Sequence, residues 1–98
     1  MKKSYVYLIT NKNNTTIYTG VTSNLQKRIH QHKTKTFKGF STKYNCEKLV
    51  YFEEFDKISQ AINREKQLKS GNRKRKEDLI NLKNSDWIDL SEGWLFQF

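Results

Sequence analysis

Two tyrosines stand where a small protein could present phenol groups to a ligand. Tyr7 lies in Ser4–Thr10 and Tyr18 in Thr15–Val21, two segments rich in β-branched and aromatic residues that the turn-forming residues 11–14 separate, so they predict a β-hairpin. Opposed residues of a hairpin share a face, and a turn with an even number of residues therefore places both rings on one side of the sheet. The sequence predicts either a phenolic surface that takes part in chemistry or two tyrosines that pack in the core.

An arginine and a histidine follow on a predicted helix over residues 24–33. Gly20 permits a tight turn from the strand, and Asn24 is one of the helix-capping side chains before the helix. Arg28 and His32 are four residues apart and so share one face of the helix. A guanidinium can hold a phosphate through two parallel hydrogen bonds, and a neutral imidazole can accept or relay a proton. An exposed basic helix face without chemistry is the alternative.

A carboxylate occupies the apolar side of a second predicted helix, Ser59–Ser70. Glu65 falls in a stripe at helical spacing where a hydrophobic residue would be expected. A charge on the inward face needs a partner, which is either an arginine or lysine or a divalent cation at the edge of the sheet. Mg²⁺ takes one or two protein carboxylates and completes its shell with water and substrate phosphate, so one glutamate is enough for a metal site. The apolar members of the stripe are Ile58, Ala61, Ile62 and Leu68.

The chain is strongly basic. Lys and Arg total 19 against 10 for Asp and Glu, a formal net charge of +9, which makes a polyanion the expected partner, nucleic acid before an anionic membrane surface. The basic residues concentrate in the segments 33–43 and 66–76, where they could neutralise backbone phosphates, although a solvated helix end has the same composition. Those predicted to bind nucleic acid are Lys35, Lys38, Lys43, Lys69, Arg73, Lys74, Arg75 and Lys76.

These residues need a scaffold of both strands and helices. With 98 residues, we expect one domain with a small core over about residues 4–90. A third strand, Lys48–Phe55, follows a polar basic loop over residues 34–47 with a short helical turn, and a last helix spans Arg73–Lys83. The order β-β-α-β-α-α predicts an α+β fold, with a small three-stranded mixed or antiparallel sheet flanked by helices. The aromatic C-terminal tail, residues 87–98, is expected to pack on the body or on a partner.

Composition excludes several classes of protein. The 35% of hydrophobic and 13% of aromatic residues can form a core, so global disorder is not expected. The longest apolar stretches fall far short of the ~20 residues that span a bilayer, and the N-terminal one is too short for a signal peptide. Cys46 is the single cysteine, so it cannot form an internal disulfide, and no Cys/His cluster with zinc spacing accompanies it. We expect a cytoplasmic protein.

Taken in order, the singled-out residues resemble the GIY-YIG nuclease superfamily. Over residues 4–90 the chain is similar to its small single-domain bacterial branch, which is related to excision-repair and homing endonucleases. The chain departs from the family pattern at Tyr5, where the family has glycine, and at Val21, where excision-repair members carry lysine; Asn81 and Asn84 are both candidates for a late family asparagine. The segments that carry the resemblance are Tyr5-Val6-Tyr7, Tyr18-Thr19-Gly20, Asn24-Leu25 with Arg28 and His32, and Arg64–Lys69 around Glu65.

The resemblance implies a divalent-metal-dependent endonuclease that hydrolyses phosphodiester bonds in DNA rather than RNA, with a role in repair or recombination. It also implies roles for individual residues. Glu65 would hold Mg²⁺ or Mn²⁺, and Arg28 would stabilise the charge that develops on phosphorus. Tyr7 and Tyr18 would orient or deprotonate the attacking water. His32 matches a histidine found at the catalytic site of part of the superfamily.

Two positions of the resemblance have structural rather than catalytic roles. Gly20 matches the glycine that closes the second tripeptide, and Asn24 lies at the start of the helix beside it.

Two other functions stay open. A catalytically weak or inactive nucleic-acid-binding module of the same fold would bind nucleic acid in a salt-sensitive way without cleaving it. A protein-interaction domain would use the aromatic tail, residues 87–98, for a partner or for self-association. Since no base-reading element is recognisable, specificity is expected for backbone or structure.

Overall fold

A β-hairpin and a third strand build the sheet that carries the candidate residues. A computed structural model describes residues 2–36 and 38–94. The strands pair in the order β2-β1-β3, and both pairs are antiparallel, which confirms the predicted α+β class. In chain order the elements are β1 (Ser4–Thr10), β2 (Ile17–Thr22), α1 (Leu25–Lys33), α2 (Phe40–Lys43), β3 (Lys48–Phe55), α3 (Ile58–Ser70) and α4 (Arg73–Lys83).

The turn between β1 and β2 is wider than predicted. β2 begins at Ile17 instead of Thr15, which leaves residues 11–16 as the turn. The side-chain oxygen of Asn11 accepts hydrogen bonds from the backbone N–H groups of Thr15 and Thr16, at 2.9 and 3.1 Å, as asparagine often does in turns. These bonds keep both threonines out of the strand. The turn still has an even number of residues, as a shared face for the two tyrosines requires.

Local caps set the helix boundaries close to the predicted ones. α1 begins at Leu25 because Asn24 is extended, with φ −144°, and its side chain accepts a hydrogen bond from the Lys27 N–H at 3.1 Å, so Asn24 is the N-cap. α3 begins at Ile58, one residue before the predicted start. The prediction that Ile58 belongs to the buried apolar stripe is wrong, because its side chain is 46% exposed at the helix start. The short helical turn predicted within residues 34–47 is α2. Within the described ranges, none of these helices has the length and apolar character that a membrane crossing needs.

The sheet lies between two groups of helices. Tyr7 and Ile9 of β1 point to the face that α1 covers, and Val6 and Leu8 point to the face that α3 and α4 cover. All four side chains are fully buried, because β1 is the central strand and both of its faces pack against helices. The candidate tyrosines and α1 therefore lie on one face, and α3 reaches them from the other.

The chain after α4 returns to the sheet. The Leu90 N–H donates to the carbonyl of Leu49 in β3 at 2.7 Å. Asp89 accepts from the Leu49 N–H at 3.2 Å and pairs with Lys33 of α1 at 2.6 Å. Trp94 packs against the core on the α1 face. The first part of the predicted aromatic tail thus lies on the body of the domain, and residues 95–98 lie outside the described residues.

Candidate active site

The glycine of β2 makes room for a buried tyrosine. Tyr7 is 0% exposed and pairs with Gly20 across the hairpin. A Cβ atom built on Gly20 would lie 2.3 Å from both the Cζ atom and the hydroxyl oxygen of Tyr7, well inside van der Waals contact. The Tyr7 ring therefore lies across the backbone of β2 at a position that only glycine leaves open.

Tyr18 and His32 complete an aromatic group around Tyr7. The ring centroids of the two tyrosines are 6.4 Å apart, and that of His32 lies 5.6 Å from Tyr7 and 5.5 Å from Tyr18. In the strand register Tyr18 pairs with Ile9, so the tyrosines meet diagonally on one face of the sheet. The predicted shared face of Tyr7 and Tyr18 is confirmed.

His32 is held by two hydrogen bonds. Its Nε2 lies 2.8 Å from the Tyr7 hydroxyl, and its Nδ1 lies 3.1 Å from Oγ of Ser41 in α2. The histidine is 4% exposed, and burial together with the positive charge of Arg28 lowers the pKa of its imidazole to about 4. His32 is therefore neutral at physiological pH, and one ring nitrogen donates while the other accepts.

Charges from α1 and α3 act on the Tyr7 hydroxyl. Burial raises the pKa of Tyr7 above its usual range, Arg28 opposes the rise through its charge and a hydrogen bond, and the charge of Glu65 adds to it. The Tyr7 phenol thus stays protonated at neutral pH. Of the five predicted catalytic residues, Tyr7, Tyr18 and His32 are in contact. The charges of the other two, Arg28 and Glu65, lie near enough to act on the Tyr7 hydroxyl.

Glu65 is positioned by its neighbour in the sequence. Arg64 donates two hydrogen bonds to the carboxylate of Glu53 in β3, at 2.8 and 3.0 Å, and this planar pairing resists rotation of α3 against the sheet. The Glu65 side chain is only 16% exposed, and its Oε2 lies 3.5 Å from Nζ of Lys69 one helical turn later. The carboxylate predicted on the inward side of α3 is therefore present, with a lysine as one partner.

The donor set at Glu65 suits a cation that keeps most of its water. Across residues 2–36 and 38–94, no three His, Cys, Asp or Glu side chains converge to hold a metal, which argues against a zinc-type cage of protein ligands there. Mg²⁺ needs only one or two carboxylates besides water and phosphate. Lys69 is 52% exposed, so its flexible ammonium group can leave Glu65 for solvent. A single inward glutamate with an exposed lysine partner fits partial coordination of Mg²⁺.

Comparison with known proteins bears directly on this arrangement. Residues 3–78 match the family model described as the GIY-YIG catalytic domain. The chain belongs to the GIY-YIG catalytic domain family. The resemblance read from the motifs is thus confirmed, and the matched range includes all five residues around the Tyr7 hydroxyl.

Several relatives of this GIY-YIG domain carry the name UPF0213 protein. The relative from Syntrophus aciditrophicus is 37% identical over 81 residues, which cover 82% of this chain and 92% of the relative. The relative from Clostridium perfringens is 37% identical over 81 residues, with 83% and 86% covered. The solution NMR structure of a UPF0213 protein from Bacillus halodurans has 25% identity and a TM-score of 0.57, and the match covers 93% of this chain and 97% of that one. Membership of this nuclease domain family implies that the domain binds nucleic acid.

Four of the eight basic residues predicted to bind nucleic acid form hydrogen bonds or ion pairs with other described residues of the GIY-YIG domain. Arg73 is the clearest case, because its guanidinium donates to two backbone carbonyls of the β1–β2 turn, at 2.6 and 2.8 Å. A nucleic acid would have to compete with these bonds. The contacts join Lys35 to Asn45, Lys69 to Glu65, Arg73 to Asn14, Thr15 and Glu77, and Lys74 to Asp78.

The other predicted basic residues lie on the surface of α4 and around α2. Lys38, Lys43 and Arg75 are exposed, and Lys76 is half-buried. The ammonium group of Lys43 lies 5.4 Å from the centre of the Tyr44 ring, within cation–π range. Their binding to nucleic acid stays a prediction.

Two features of the site were not predicted from the sequence. Ser41 contacts His32 from a segment without helical or strand periodicity, so no pattern pointed to it. A polar cavity of about 280 Å³ opens beside Arg28, and its lining contains three cations and no acid. The adjacent Lys27 and Arg28 could have indicated this cavity in the sequence. Lys2 lies beside them only because of the fold, so its part in the lining could not be predicted. The cavity is lined by Lys2, Thr22, Ser23, Asn24, Lys27, Arg28 and Gln31.

Both candidates for the late family asparagine hold the end of α4. The Asn84 amide donates to the carbonyls of Val50 and Ile88, at 3.0 and 2.9 Å, and its oxygen accepts from the Ile88 N–H at 3.1 Å. The side-chain oxygen of Asn81 accepts from the indole of Trp87 at 2.6 Å. These bonds give each asparagine a structural role at the C-terminal end of α4.

Proposed function

We propose that this domain is a divalent-metal-dependent endonuclease that hydrolyses phosphodiester bonds in DNA and recognises backbone or structure rather than base sequence. The observation that carries the proposal is the convergence of charged and phenolic groups from β1, β2, α1 and α3 on the Tyr7 hydroxyl. Buried groups with shifted pKa values, here Tyr7 and His32, are typical of catalytic sites when they lie beside charged side chains. A role in DNA repair or recombination is part of the proposal, through the similarity to excision-repair motifs.

The burial and position of the side chains indicate their proposed roles in hydrolysis. Arg28 lies between Tyr7 and the cation-lined cavity, so its guanidinium can hold a phosphate and stabilise the charge that develops on phosphorus. Tyr7 is protonated and fully buried, so its hydroxyl would act from beneath the site, where it contacts His32 and feels the charge of Arg28. Tyr18 is only half-buried and is the tyrosine better placed to orient or deprotonate the attacking water.

Glu65 is the residue that would hold Mg²⁺ or Mn²⁺. A divalent cation there would supply positive charge to the phosphate oxygens as bonds to phosphorus form and break. The protein contributes one inward carboxylate, fixed in direction by the pairing of Arg64 with β3. Because Glu65 is paired with Lys69 at 3.5 Å, metal binding should displace that ammonium group.

The cavity beside Arg28 gives the DNA backbone a path to the site. Lys2, Lys27 and Arg28 line it with Gln31 and the polar residues 22–24, and such a lining neutralises phosphates without reading bases. The cavity also lies at the N-terminal end of α1, where backbone dipoles favour an anion. This arrangement supports binding through the sugar–phosphate backbone.

The test is cleavage by the purified protein. With Mg²⁺ or Mn²⁺ it should nick supercoiled plasmid or cut labelled branched, flap or single-stranded DNA, and EDTA should stop the reaction. Tyr18→Phe, Arg28→Ala and Glu65→Gln should each abolish cleavage, since each removes a group that acts at the phosphate. Glu92→Gln, a change of an exposed glutamate in the C-terminal segment, is the matched control and should cleave like the wild type.

The pattern across variants separates the possible outcomes. Equal residual cleavage in all three active-site variants would indicate a contaminating nuclease and contradict the assignment. Salt-sensitive binding without cleavage of any DNA, in the presence of metal, would instead show a nucleic-acid-binding module of the same fold. Preferential cleavage of RNA in the same screen would overturn DNA as the substrate.

A further inference from the structure

Two exposed aromatic side chains lie next to the candidate active site. Among the described residues, Phe40 and Tyr44 are large apolar side chains that stay open to solvent, at 50% and 41% exposure. The other exposed ones are aliphatic and lie apart, and they are Ile58, Leu82 and Ile88. Single exposed apolar residues are ordinary on a protein surface, whereas a group of them in contact is typical of a binding surface.

The short helix α2 places both rings on one side. Phe40 begins α2, and Tyr44 follows four positions later, where its N–H donates to the Phe40 carbonyl at 3.1 Å. Residues four apart share a helix face, and the two ring centroids are 4.7 Å apart. Phe40 and Tyr44 are called the aromatic pair below. The buried Ser41 of the same helix contacts His32 at 3.1 Å, so the helix that carries the pair is joined directly to the candidate active site.

The aromatic pair continues the group of rings around Tyr7. Phe40 stacks on Tyr18, with ring centroids 6.2 Å apart and 27° between the ring planes. Tyr18 in turn lies 5.5 Å from His32 and 6.4 Å from Tyr7. Ring contacts therefore lead from the fully buried Tyr7 through the half-buried Tyr18 to the exposed pair. A DNA strand with a phosphate at Tyr18 has the pair within reach of an adjacent nucleotide.

The charge around the aromatic pair suits a nucleic-acid strand. Residues 33–46 contain four lysines and no Asp or Glu. Lys43 is exposed, and its ammonium group lies 5.4 Å from the centre of the Tyr44 ring. The ion pairs among the described residues do not include Lys43, so its charge is available to a phosphate. Aromatic rings beside cations are typical of surfaces that bind unpaired bases, because the ring stacks on the base and the cation holds the backbone.

We propose that Phe40 and Tyr44 stack on an unpaired base of the DNA strand that is cut, while Lys43 holds an adjacent phosphate. The proposal rests on the proposed nuclease function and adds a structural requirement to it, namely an unpaired base near the cleaved bond. A base inside a duplex is already stacked and paired, and it reaches such a surface only after unpairing. The domain should therefore favour single strands and flaps over continuous duplex.

Binding in EDTA tests the aromatic pair without cleavage. Fluorescence anisotropy would compare a labelled single-stranded oligodeoxynucleotide with a strand of the same length and charge in which abasic sites replace the nucleotides. The wild type should bind the strand with bases roughly 5- to 150-fold more tightly, the range for one stacked base. Phe40→Ala and Tyr44→Ala should each remove most of this difference and change binding of the abasic strand far less. Phe40→Tyr retains a ring and should keep the preference for bases.

A matched control and a cross-link locate the effect. Leu82→Ala truncates an exposed apolar side chain of α4 and should bind both strands like the wild type. A strand that carries iodouracil should form photochemical cross-links to Phe40 or Tyr44, identified by mass spectrometry, and a fully paired duplex with the same base should not. Cross-links confined to other residues would overturn the proposal, as expected if the pair instead contacts a protein.

The binding data contain further outcomes that would overturn the proposal. One is equal binding of the strands with and without bases by the wild type. Another is a base preference that persists in the folded Phe40→Ala and Tyr44→Ala variants, with folding checked by circular dichroism. Should Phe40→Ala fail to fold, Tyr44→Ala and the cross-link still decide. Tighter binding of an RNA strand of the same sequence would overturn DNA as the source of the base.

Cleavage of a flap separates base binding from catalysis. In single-turnover reactions Tyr44→Ala should raise the protein concentration for half-maximal rate much more than it lowers the maximal rate. Phe40→Ala should also lower the maximal rate, because Phe40 packs on Tyr18. If the wild type binds bases through the pair but cleaves no DNA, the proposed nuclease function is wrong and the stacking surface stands. If the wild type cuts duplex and flap equally and both variants cleave like it, the stacking surface is wrong and the nuclease stands.

Discussion

Replacing Gly20 by alanine tests the packing on which the whole site depends. The added Cβ would lie 2.3 Å from Cζ and from the hydroxyl oxygen of Tyr7, and 2.8 Å from Cε1, so the buried ring must move. Overpacking of this kind costs ~1–3 kcal/mol, and the displaced hydroxyl would also lose its 2.8 Å bond to His32, worth ~0.5–1.5 kcal/mol. We expect a loss of about 2–4 kcal/mol in the free energy of unfolding.

Urea and thermal unfolding followed by circular dichroism measure this loss. For a domain of this length, about 2–4 kcal/mol corresponds to a melting temperature lower by roughly 10–30 °C. Gly71→Ala is the matched control, because its Cβ meets only the flexible Arg75 side chain at 3.2 Å and the backbone oxygens of Leu68 and Gln67 beyond 3.4 Å. At such a site alanine changes stability by less than about 1 kcal/mol.

A double-mutant cycle identifies the clash as the cause. Leucine at position 7 lacks the Cζ, Cε and hydroxyl atoms that Gly20→Ala would strike, so Gly20→Ala should cost little in a Tyr7→Leu background. If the two changes were additive, or if Gly20→Ala were as stable as Gly71→Ala, the explanation of Gly20 as space for the Tyr7 ring would be wrong.

Three more predictions concern acid, salt and the basic residues. Burial lowers the pKa of His32 to about 4, so the unfolded chain binds more protons than the folded one between pH ~6.5 and ~4. The free energy of unfolding therefore falls as the pH falls through this range. In urea titrations at a series of pH values, His32→Gln should weaken this pH dependence. Lys2→Gln combined with Lys27→Gln should reduce the slope of log Kd for DNA against log salt by about 2, measured by fluorescence anisotropy. Arg73→Ala should destabilise the domain by about 1 kcal/mol through its lost bonds to the hairpin turn, whereas Arg75→Ala should weaken DNA binding and leave the urea midpoint unchanged.

Control variants and contradicting outcomes can be named for each of these three predictions. Lys12→Gln with Lys48→Gln removes two charges at the other end of β1, beside the hairpin turn, and should change the salt slope less than the pair at the cavity. An equal change would show that only net charge matters. A pH dependence that persists in His32→Gln would assign the acid effect to other groups, and a wild-type urea midpoint in Arg73→Ala would refute its structural role.

Residues close together in sequence were the ones that sequence reasoning placed well. β1, β3 and α4 have the predicted bounds, because alternation and helical spacing are local patterns. The shared face of Tyr7 and Tyr18 followed from the parity of the turn alone. Ile58 was misplaced at a helix start, where spacing does not distinguish a buried position from an exposed one. Whether Glu65 binds a metal is a question that spacing could raise and not answer.

Contacts between distant segments could not be predicted, for a physical reason. Ser41 meets His32 because α2 folds back over α1, and Arg73 bonds to a turn nearly sixty residues earlier. Such contacts depend on the directions of whole elements, which propensity and periodicity do not specify. The run of basic residues in α4 predicted a binding surface by composition, yet one of its arginines, Arg73, forms hydrogen bonds to the β1–β2 turn.

The placement of charge supports the cavity beside Arg28 as a phosphate site. Three of the basic residues of the 66–76 cluster pair with carboxylates at 2.9 to 3.5 Å, and opposite charges at such distances largely cancel beyond a Debye length. The cavity beside Arg28 holds Lys2 and Lys27 with no acid in its lining, so its positive potential is not cancelled locally. A nucleic-acid backbone drawn to this cavity would therefore reach Arg28, whose charge also acts on the Tyr7 hydroxyl.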